Sequence, residues 1–281
     1  MIRSLKQIEE DMNNGITYED YLAMIDYDDE KPKKKDKKKK VNAHGVKNMY
    51  ALKGVQKYME KIRNPGFDDH QIDLNFNAIL IGATGSGKTN ALCAILEAFT
   101  KTFNEMYIFT QAKEPIYQFL ESEIPSHALK TYYEGYRGVL KGFKDKDNFI
   151  GQSIVVFDDM VAEKDQSAIE QHFILGRKKS QTKGQGCSSF YLCQGYFQVP
   201  QLIRGQCSLI IIVKVTDNRQ LSDILKRYSL GVTKEQLINM YTYCVGDGEF
   251  GNFFLIDTKQ NDDNKKFRKC LTEYLNPDDF I

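Results

Sequence analysis

The sequence lacks any long hydrophobic run, although 41% of its 281 residues are hydrophobic. The longest apolar run, residues 209–213, has the length of a β-strand and falls far short of the about 18 residues that a membrane-spanning helix needs. The N-terminal residues also lack the apolar stretch of a secretory signal peptide. These absences predict a protein that has no membrane span, is not secreted and acts inside the cell.

Cysteine and histidine are sparse and scattered. The chain has six cysteines and four histidines, and no two cysteines form a Cys-x-x-Cys pair. Most of the cysteines lie in apolar segments, which favours reduced thiols in the core of an intracellular protein. Because metal ligands are not grouped along the chain, the sequence gives no reason to expect a zinc site.

The net charge of +1 hides a strong local asymmetry near the N-terminus. Residues 1–30 carry two basic and nine acidic side chains, whereas residues 31–40 carry eight lysines and one aspartate. Blocks of this kind are usually solvated segments or interaction tails. The basic run suits a polyanion such as DNA, and a solvated linker or an import-like basic run explains it equally well. We therefore predict a flexible segment over residues 1–40 and leave its role open.

The rest of the chain divides where its hydrophobic pattern changes. Residues 41–70 predict a helical extension that ends at the Asn-Pro-Gly sequence of residues 64–66. Residues 71–260 alternate strand and helix patterns, which is typical of an α/β domain with a mostly parallel sheet flanked by helices. Residues 261–281 are polar and predict a loosely packed tail. The strand patterns lie at residues 76–81, 106–110, 153–157, 189–193 and 209–215, with a further edge strand at residues 251–257.

A glycine-rich motif stands between the first strand pattern and a helix pattern. Residues 82–89 read Gly-Ala-Thr-Gly-Ser-Gly-Lys-Thr, a complete phosphate-binding loop, or P-loop. Its glycines let backbone N–H groups close around phosphate oxygens, and the following helix N-terminus adds partial positive charge. Lys88 is expected to reach the β- and γ-phosphates, and Thr89 to bind Mg²⁺. The sequence therefore predicts that Thr89 binds Mg²⁺ and that ATP binds at Gly82, Ala83, Thr84, Gly85, Ser86, Gly87, Lys88, Thr89 and Asn90.

Two adjacent carboxylates follow another buried-strand pattern. Residues 154–157 are Ile-Val-Val-Phe, and Asp158 and Asp159 come directly after them, as in a Walker B motif. A strand that is buried on both faces delivers its last residue to the carboxyl edge of the sheet, so we expect Asp158 to hold Mg²⁺. Asp159 is expected to polarise the attacking water as a general base. An ordinary Asp-Asp turn after a strand is the alternative.

Polar residues around the next strand pattern complete the predicted site. Gln194 follows residues 189–193, and a neutral amide there is suited to sense the γ-phosphate or its water. An arginine that offsets charge in the transition state has two candidates, Arg177 before this strand and Arg204 after it. We favour Arg177. Either arginine is also explained as a cation that stabilises the end of a helix.

The order of the strand patterns narrows the fold class. The pattern at residues 106–110 falls between the P-loop strand and the strand that carries Asp158. This order is typical of the additional-strand ATPases, which include motors and helicases, and not of the kinase and GTPase branch. We therefore predict an additional-strand P-loop NTPase.

Together the motifs resemble those of a known family. The P-loop is followed by Phe-Asp-Asp at residues 157–159, Leu-Gly-Arg at residues 175–177 and Cys-Gln-x-Tyr-x-x-Val-Pro at residues 193–200. This order and spacing resemble the genome-packaging ATPases of poxviruses, other large DNA viruses and virophages, within the FtsK–HerA superfamily. The resemblance covers residues 74–257, and its last motif is the most specific part.

The resemblance implies a RecA-like ATPase that uses ATP and Mg²⁺ to move double-stranded DNA into a preformed capsid. It implies a homo-oligomeric ring, capsid or portal proteins as further partners, and a location at the viral assembly site in the host cytoplasm, with the virion as a second location. Arg177 is similar to the family's arginine finger, which completes the site of the adjacent subunit, and Gln194 is similar to its sensor. Many members of the superfamily have glutamate where this chain has Asp159.

Two other kinds of function share these motifs. A helicase or a protein-assembly ATPase would keep the same fold, and a non-hydrolysing ATP-binding switch would keep only the binding loop. A pure binder needs fewer polar groups than this chain has, since Asp158, Asp159 and Gln194 accompany the P-loop. The DNA translocase is therefore our prediction.

Overall fold

The computed structural model of the protein describes Met49 and residues 52–56, 64–144, 149–181, 185–246 and 248–281. Apart from Met49, every described residue belongs to the larger of the chain's two units, residues 50–281. The acidic and lysine-rich segment predicted at residues 1–40 lies outside the described residues, as does most of the predicted helical extension.

The described residues form a nine-stranded sheet. Its order is β3-β2-β4-β5-β1-β6-β7-β8-β9, with parallel pairing from β3 to β6 and antiparallel pairing from β6 to β9. The strands are β1 Asn77–Ile81, β2 Glu105–Phe109, β3 Leu129–Tyr132, β4 Ser153–Asp158, β5 Cys187–Cys193, β6 Leu209–Ile212, β7 Phe254–Asp257, β8 Phe267–Lys269 and β9 Glu273–Tyr274.

Helices occupy the connections from β1 through β7 and cover both faces of the sheet. They are α1 Lys53–Gln56, α2 Phe67–His70, α3 Lys88–Ala98, α4 Pro115–Glu123, α5 Tyr136–Lys144, α6 Ser167–Leu175, α7 Gln201–Gln206, α8 Asn218–Arg227 and α9 Lys234–Val245. No helix among the described residues is both long enough and apolar enough to cross a membrane.

The continuous apolar runs of the central strands are explained by burial on both faces. In β1, Ala78 and Leu80 belong to one core cluster, whereas Ile79 and Ile81 belong to a second cluster on the opposite face. Alternate side chains of a strand point to opposite faces, so a strand in the middle of a covered sheet must be apolar at nearly every position. The strand patterns therefore predicted the centre of the sheet correctly.

The predicted α/β class with a mostly parallel sheet and the additional-strand arrangement are confirmed. The strand that separates β1 from β4 in the sheet is β5, whereas β2 lies on the far side of β4. The carboxyl ends of β1, β4 and β5 consequently lie side by side, which brings the residues that follow these three strands together.

The C-terminal segment departs from the prediction. It contributes β8 and β9 to the sheet, and Phe267, Leu271 and Leu275 are buried. The prediction of a loosely packed tail is therefore wrong for residues 267–275. Polar composition suggested solvent exposure here, but one of the charged residues, Arg268, is itself buried.

Candidate functional site

A cavity of about 400 Å³ opens at the sheet edge where β1, β4 and β5 end. Its lining comes from the P-loop and Asn90, from residues 114–116 after β2, and from Asp159, Gln194 and Phe250. Ligands of parallel α/β sheets bind at the carboxyl ends of the strands, which is where this cavity lies. The structure therefore brings most of the predicted site residues together at one place.

Two glycines give the P-loop its shape. Gly85 and Gly87 have φ angles of +71° and +90°, a region that residues with a side chain rarely adopt. A Cβ atom at Gly87 would also lie 2.9 Å from the backbone of Gly251. A side chain is therefore excluded at Gly87 both by its own backbone conformation and by the neighbouring chain.

The start of the P-loop is fixed by the strands on either side of β1. The backbone N–H of Gly82 donates to the Cys193 carbonyl at 3.2 Å, and that of Ala83 donates to the Lys214 carbonyl at 3.0 Å. Both acceptors lie at or just beyond the carboxyl ends of neighbouring parallel strands. The loop is thus held by the sheet and not only by its own turn.

The end of the P-loop is the beginning of α3. The first helical hydrogen bond runs from the Ala91 N–H to the Gly87 carbonyl at 2.8 Å, so the preceding N–H groups lack intrahelical acceptors. Lys88 lies in the same turn, and its Nζ donates to the Ala83 carbonyl at 3.3 Å. Backbone donors and a cation therefore converge on this part of the cavity, as a polyphosphate requires.

Asp158 is the last residue of β4 and is 3% exposed. Its Oδ2 accepts a hydrogen bond from the Tyr117 hydroxyl at 2.7 Å. The pKa of Asp158 is raised from 3.8 to about 7, mainly because burial disfavours the charged carboxylate. The Tyr117 hydrogen bond and Lys88 act in the opposite direction, whereas the charges of Asp159 and Glu114 raise the pKa further.

Asp159 turns the chain away from the sheet directly after β4. Its φ angle of 53° lies in the left-handed region, which Asp tolerates better than most residues. Its backbone N–H donates to the Leu192 carbonyl of β5 at 3.3 Å. Its Oδ1 is buried and has no hydrogen-bond partner within the described part of the chain. A buried carboxylate oxygen of this kind is suited to accept a proton or a water that a ligand brings in.

Gln194 is connected to the P-loop across the cavity. Its Oε1 accepts a hydrogen bond from the Thr84 hydroxyl at 3.0 Å. The turn that carries it is braced by Gln220 of α8, whose Nε2 donates to the Gln194 carbonyl at 3.5 Å and whose Oε1 accepts from the Tyr196 N–H at 2.8 Å. Thr84 thus binds the amide oxygen, and the amide nitrogen of Gln194 can donate to a ligand.

Arg177 lies near the amino ends of β4 and β5, whereas the cavity lies at their carboxyl ends. This arginine belongs to a 3₁₀ turn, Gly176–Lys178, and a Cβ at Gly186 would approach its carbonyl to 2.0 Å. Gly186 in turn accepts a hydrogen bond from the N–H of Ser153, the first residue of β4. Asp158 is the last residue of the same strand, so Arg177 is separated from it by the length of β4, roughly 16 Å. The structure therefore does not bring Arg177 to the site of its own chain.

Arg204, the other arginine candidate, is held against aromatic rings. Its Nε donates to the Val199 carbonyl at 2.9 Å, and its guanidinium lies 4.9 Å from the ring centre of Tyr196 and 5.4 Å from that of Phe197. It does not belong to the lining of the cavity. These contacts assign Arg204 to the support of the chain after β5.

Several residues of the site belong to no motif of the sequence. Glu114 and Phe250 line the cavity, and Tyr117 binds Asp158. Glu114 follows β2 and Phe250 precedes β7, so both come from loops without a local motif. A signal for Glu114 was available, because the loop after a parallel strand must reach the edge where the P-loop lies.

The residues present fit a nucleoside triphosphate with Mg²⁺. The glycine-shaped P-loop and the N-terminus of α3 provide donors for phosphate oxygens, and Lys88 provides a cation. Thr89 and the nearby carboxylates offer the oxygen ligands that Mg²⁺ prefers. The unpartnered Oδ1 of Asp159 is accounted for if it meets a ligand or its water.

Solved structures that match part of this chain include two viral ATPases and one from a bacterium. The DNA-packaging ATPase B204 of Sulfolobus turreted icosahedral virus is 14% identical over 72% of this chain and 99% of that chain, with a TM-score of 0.47. The genome-packaging NTPase B204 of Sulfolobus turreted icosahedral virus 2, in complex with AMPPCP, is 14% identical over 72% of this chain and 100% of that chain, with a TM-score of 0.47. EssC (ATPases 2 and 3) from Geobacillus thermodenitrificans is 16% identical over 73% of this chain and 40% of that chain, with a TM-score of 0.45.

Sequence comparison assigns the family. No curated protein sequence matches the chain significantly. The family model described as Poxvirus A32 protein matches residues 67–249, which is more than half of the chain. The matched region contains the P-loop, both aspartates of the Walker B motif, Arg177 and Gln194. The chain therefore belongs to the poxvirus A32 protein family.

Proposed function

We propose that this protein is an ATP-hydrolysing motor that moves double-stranded DNA into viral capsids. One observation carries the proposal: the P-loop, Asp159 and Gln194 surround one cavity beside Asp158, in a chain of the poxvirus A32 family. The chemistry of the site supports nucleotide hydrolysis. Membership of this family, whose packaging ATPases the motifs resemble, favours DNA packaging among the activities that the fold can support.

The nucleotide is held by the P-loop and by two groups that bind its metal ion. Bound Mg·ATP supplies the phosphoanhydride bond that is broken and the cation that offsets its charge. Backbone N–H groups of the P-loop bind the phosphates, and Lys88 offsets their charge. Thr89 and Asp158 would hold Mg²⁺, and a cation beside Asp158 would favour its charged form despite burial.

Asp159 and Gln194 act on the attacking water. Asp159 accepts the water's proton at Oδ1, the oxygen that has no other partner among the described residues. Gln194 donates from its amide nitrogen to the γ-phosphate or the water, since Thr84 already occupies its oxygen. The Thr84 contact also connects Gln194 to the P-loop.

Arg177 acts on the site of an adjacent subunit in a homo-oligomeric ring. Arg177 lies near the amino end of β4, and the nucleotide site of the same chain lies at the carboxyl end, beyond its reach. This position favours a role in trans. The end of α6 just before Arg177 exposes Ile174 and Leu175, which are 45% and 46% exposed. Large apolar side chains at the surface are suited to burial between subunits. A head-to-tail interface of this kind closes into a ring when its rotation allows.

The substrate that moves is duplex DNA, and capsid or portal proteins receive it inside the infected host cell. Phosphate contacts by lysine and arginine supply most of the affinity of such sequence-independent binding. The lysine-rich residues 31–40 have the charge for these contacts and lie outside the described residues.

Displacement of a third strand from duplex DNA tests movement along the duplex. A labelled triplex-forming oligonucleotide is bound near one end of a linear duplex, and its release is followed after ATP is added. The wild-type protein should release it, and Lys88→Ala should not. If the wild type hydrolyses ATP but leaves the third strand bound, movement along duplex DNA is contradicted. Release accompanied by separation of the two duplex strands would instead indicate a helicase.

A further inference from the structure

One aromatic side chain of the cavity has no part in the proposed hydrolysis. Phe250 is 68% exposed and lines the same cavity as Lys88 and Asp159. A phenyl ring is costly to leave in water, and a large exposed apolar group in a binding cavity generally meets an apolar part of the ligand. Most of the groups described above recognise charge, whereas Phe250 does not.

The position of Phe250 is fixed against the P-loop. Its Cζ lies 3.3 Å from where a Cβ of Gly87 would stand, and the backbone of the next residue, Gly251, lies 2.9 Å from the same point. Asn90 of α3 donates from Nδ2 to the Phe250 carbonyl at 3.4 Å. The loop that carries the ring is therefore attached to the P-loop and to the first turn of the following helix.

The sheet order places Phe250 and the hydrolytic residues on opposite sides of the P-loop. Asp159 and Gln194 follow β4 and β5, which lie to one side of β1. Phe250 precedes β7, which lies to the other side of β1 beyond β6, and the β7 residue Phe254 pairs with Ile212 at the carboxyl end of β6. The cavity thus extends from the hydrolytic residues, across the P-loop, to Phe250.

We propose that the ring of Phe250 stacks on the base of the bound nucleotide. This inference rests on the proposed function, since it takes the γ-phosphate to lie beside Asp159 and Gln194. With the phosphates along the P-loop, the nucleoside must then lie at the other end of the cavity, where Phe250 is exposed. Stacking needs only the π-face of a base, so Phe250 contributes affinity for the nucleoside part and none for the phosphates.

Binding of ATP and of inorganic tripolyphosphate, both with Mg²⁺, separates the two parts of the ligand. Isothermal titration of Phe250→Ala should show ATP affinity lowered about 10- to 100-fold, with tripolyphosphate affinity unchanged. Phe250→Tyr, which keeps the ring, should bind ATP like the wild type. Phe119→Ala is the matched control, because Phe119 is 59% exposed and does not line the cavity.

A fluorescent variant gives a second readout that needs no turnover. The chain contains no tryptophan, so Phe250→Trp introduces a single indole at the proposed base site. Its fluorescence should change when ATP binds and stay constant when tripolyphosphate binds.

Three outcomes are distinguishable. Unchanged ATP affinity in Phe250→Ala would overturn the inference. Equal losses for ATP and tripolyphosphate would also overturn it, because Phe250 would then only support the P-loop. If the wild type binds neither ligand, the proposed ATPase function itself fails.

Discussion

At the scale of single residues, Asp158 has the environment with the largest energetic consequence. Its carboxyl group is 3% exposed and lies near the charges of Asp159 and Glu114. Burial and these charges disfavour ionisation and raise its pKa to about 7. The Tyr117 hydroxyl offsets only part of the cost. Function therefore opposes stability here, because the group that would hold Mg²⁺ destabilises the ligand-free fold.

Asp158→Asn should therefore stabilise the ligand-free protein. The folded state holds the proton of Asp158 up to about pH 7, whereas an unfolded aspartate releases it near 3.8. The free energy of unfolding consequently falls as the pH rises through this window, and the full cost is present above it. Asparagine carries no charge and still accepts the Tyr117 hydrogen bond. Urea unfolding should show a gain of roughly 2–4 kcal/mol at pH 8.

The gain should shrink at pH 5, because Asp158 is already protonated in most folded wild-type molecules at that pH. Asp223→Asn on α8 is the control, since Asp223 is exposed and the same change there should leave stability unaltered. Equal stabilities of the wild type and Asp158→Asn at pH 8 would show that the charged Asp158 carboxylate does not destabilise the folded protein.

Gly87 is the residue at which the shape of the P-loop is most constrained. In Gly87→Ala, an alanine would have to adopt the left-handed backbone conformation, which costs roughly 1–2 kcal/mol. Its Cβ would also clash with the backbone of Gly251 at 2.9 Å. We expect ATP affinity to fall at least about tenfold, with a loss of thermal stability. The control is Gly205→Ala in α7, where nothing lies within 4 Å of the new Cβ. Wild-type affinity in Gly87→Ala would contradict the described loop.

At the scale of secondary-structure elements, the C-terminal strands depend on one buried cation. Arg268 of β8 is fully buried and pairs with Asp257 of β7 at 3.2 Å. It also donates to the carbonyl groups of Lys265 and Leu271 at 3.2 and 3.3 Å, and to that of His70. One guanidinium thus joins β8 to β7, to the turn after it and to α2.

Arg268→Met should destabilise the protein by about 3–5 kcal/mol, because Asp257 would remain buried without its partner. Chemical denaturation at pH 8 measures the loss. The double substitution Arg268→Met with Asp257→Asn removes the unpaired charge and should recover most of it. If the single and double substitutions are equally unstable, the ion pair is not the source of the effect.

This ion pair also explains why the sequence failed to predict the C-terminal elements. Composition treats every charged residue as exposed, so a strand that contains a buried arginine is interpreted as a tail. The edge strand β3 was missed for a related reason, since only Leu129 of its four residues is buried. The central strands β1, β4 and β5 were predictable because burial on both faces makes most of their positions apolar.

The same reasoning separates the site residues that could be predicted from those that could not. Lys88, Asp158 and Gln194 each follow an apolar strand and so reach the carboxyl edge together. Tyr117 and Phe250 enter the site from a helix face and a loop whose places depend on the assembled sheet. The roles of Lys88, Asp158 and Gln194 in hydrolysis stay predictions.

At the scale of the whole molecule, the separation of Arg177 from the P-loop predicts cooperation between subunits. Lys88→Ala subunits have a defective site but an intact Arg177, and Arg177→Ala subunits have the reverse. Each variant alone should be inactive, and a mixture should regain part of the ATP turnover at hybrid interfaces. Size-exclusion chromatography should first show that both variants fold and assemble.

A mixture of Lys88→Ala with Asp158→Asn is the matched control. Both substitutions damage the site of their own chain, so no hybrid interface contains a complete site and no activity should return. Failure of the Arg177→Ala mixture to regain activity, with both variants assembled, would contradict an arginine supplied by the neighbour.

The most direct test of the whole account is ATP turnover by the purified chain with duplex DNA, with single-stranded DNA and without DNA. Lys88→Ala serves as the blank, since it should remove turnover under all three conditions. A motor that packages double-stranded DNA predicts strong stimulation by duplex DNA, well beyond that by single strands. Turnover that is indifferent to DNA, or stimulated only by single strands, would contradict the account.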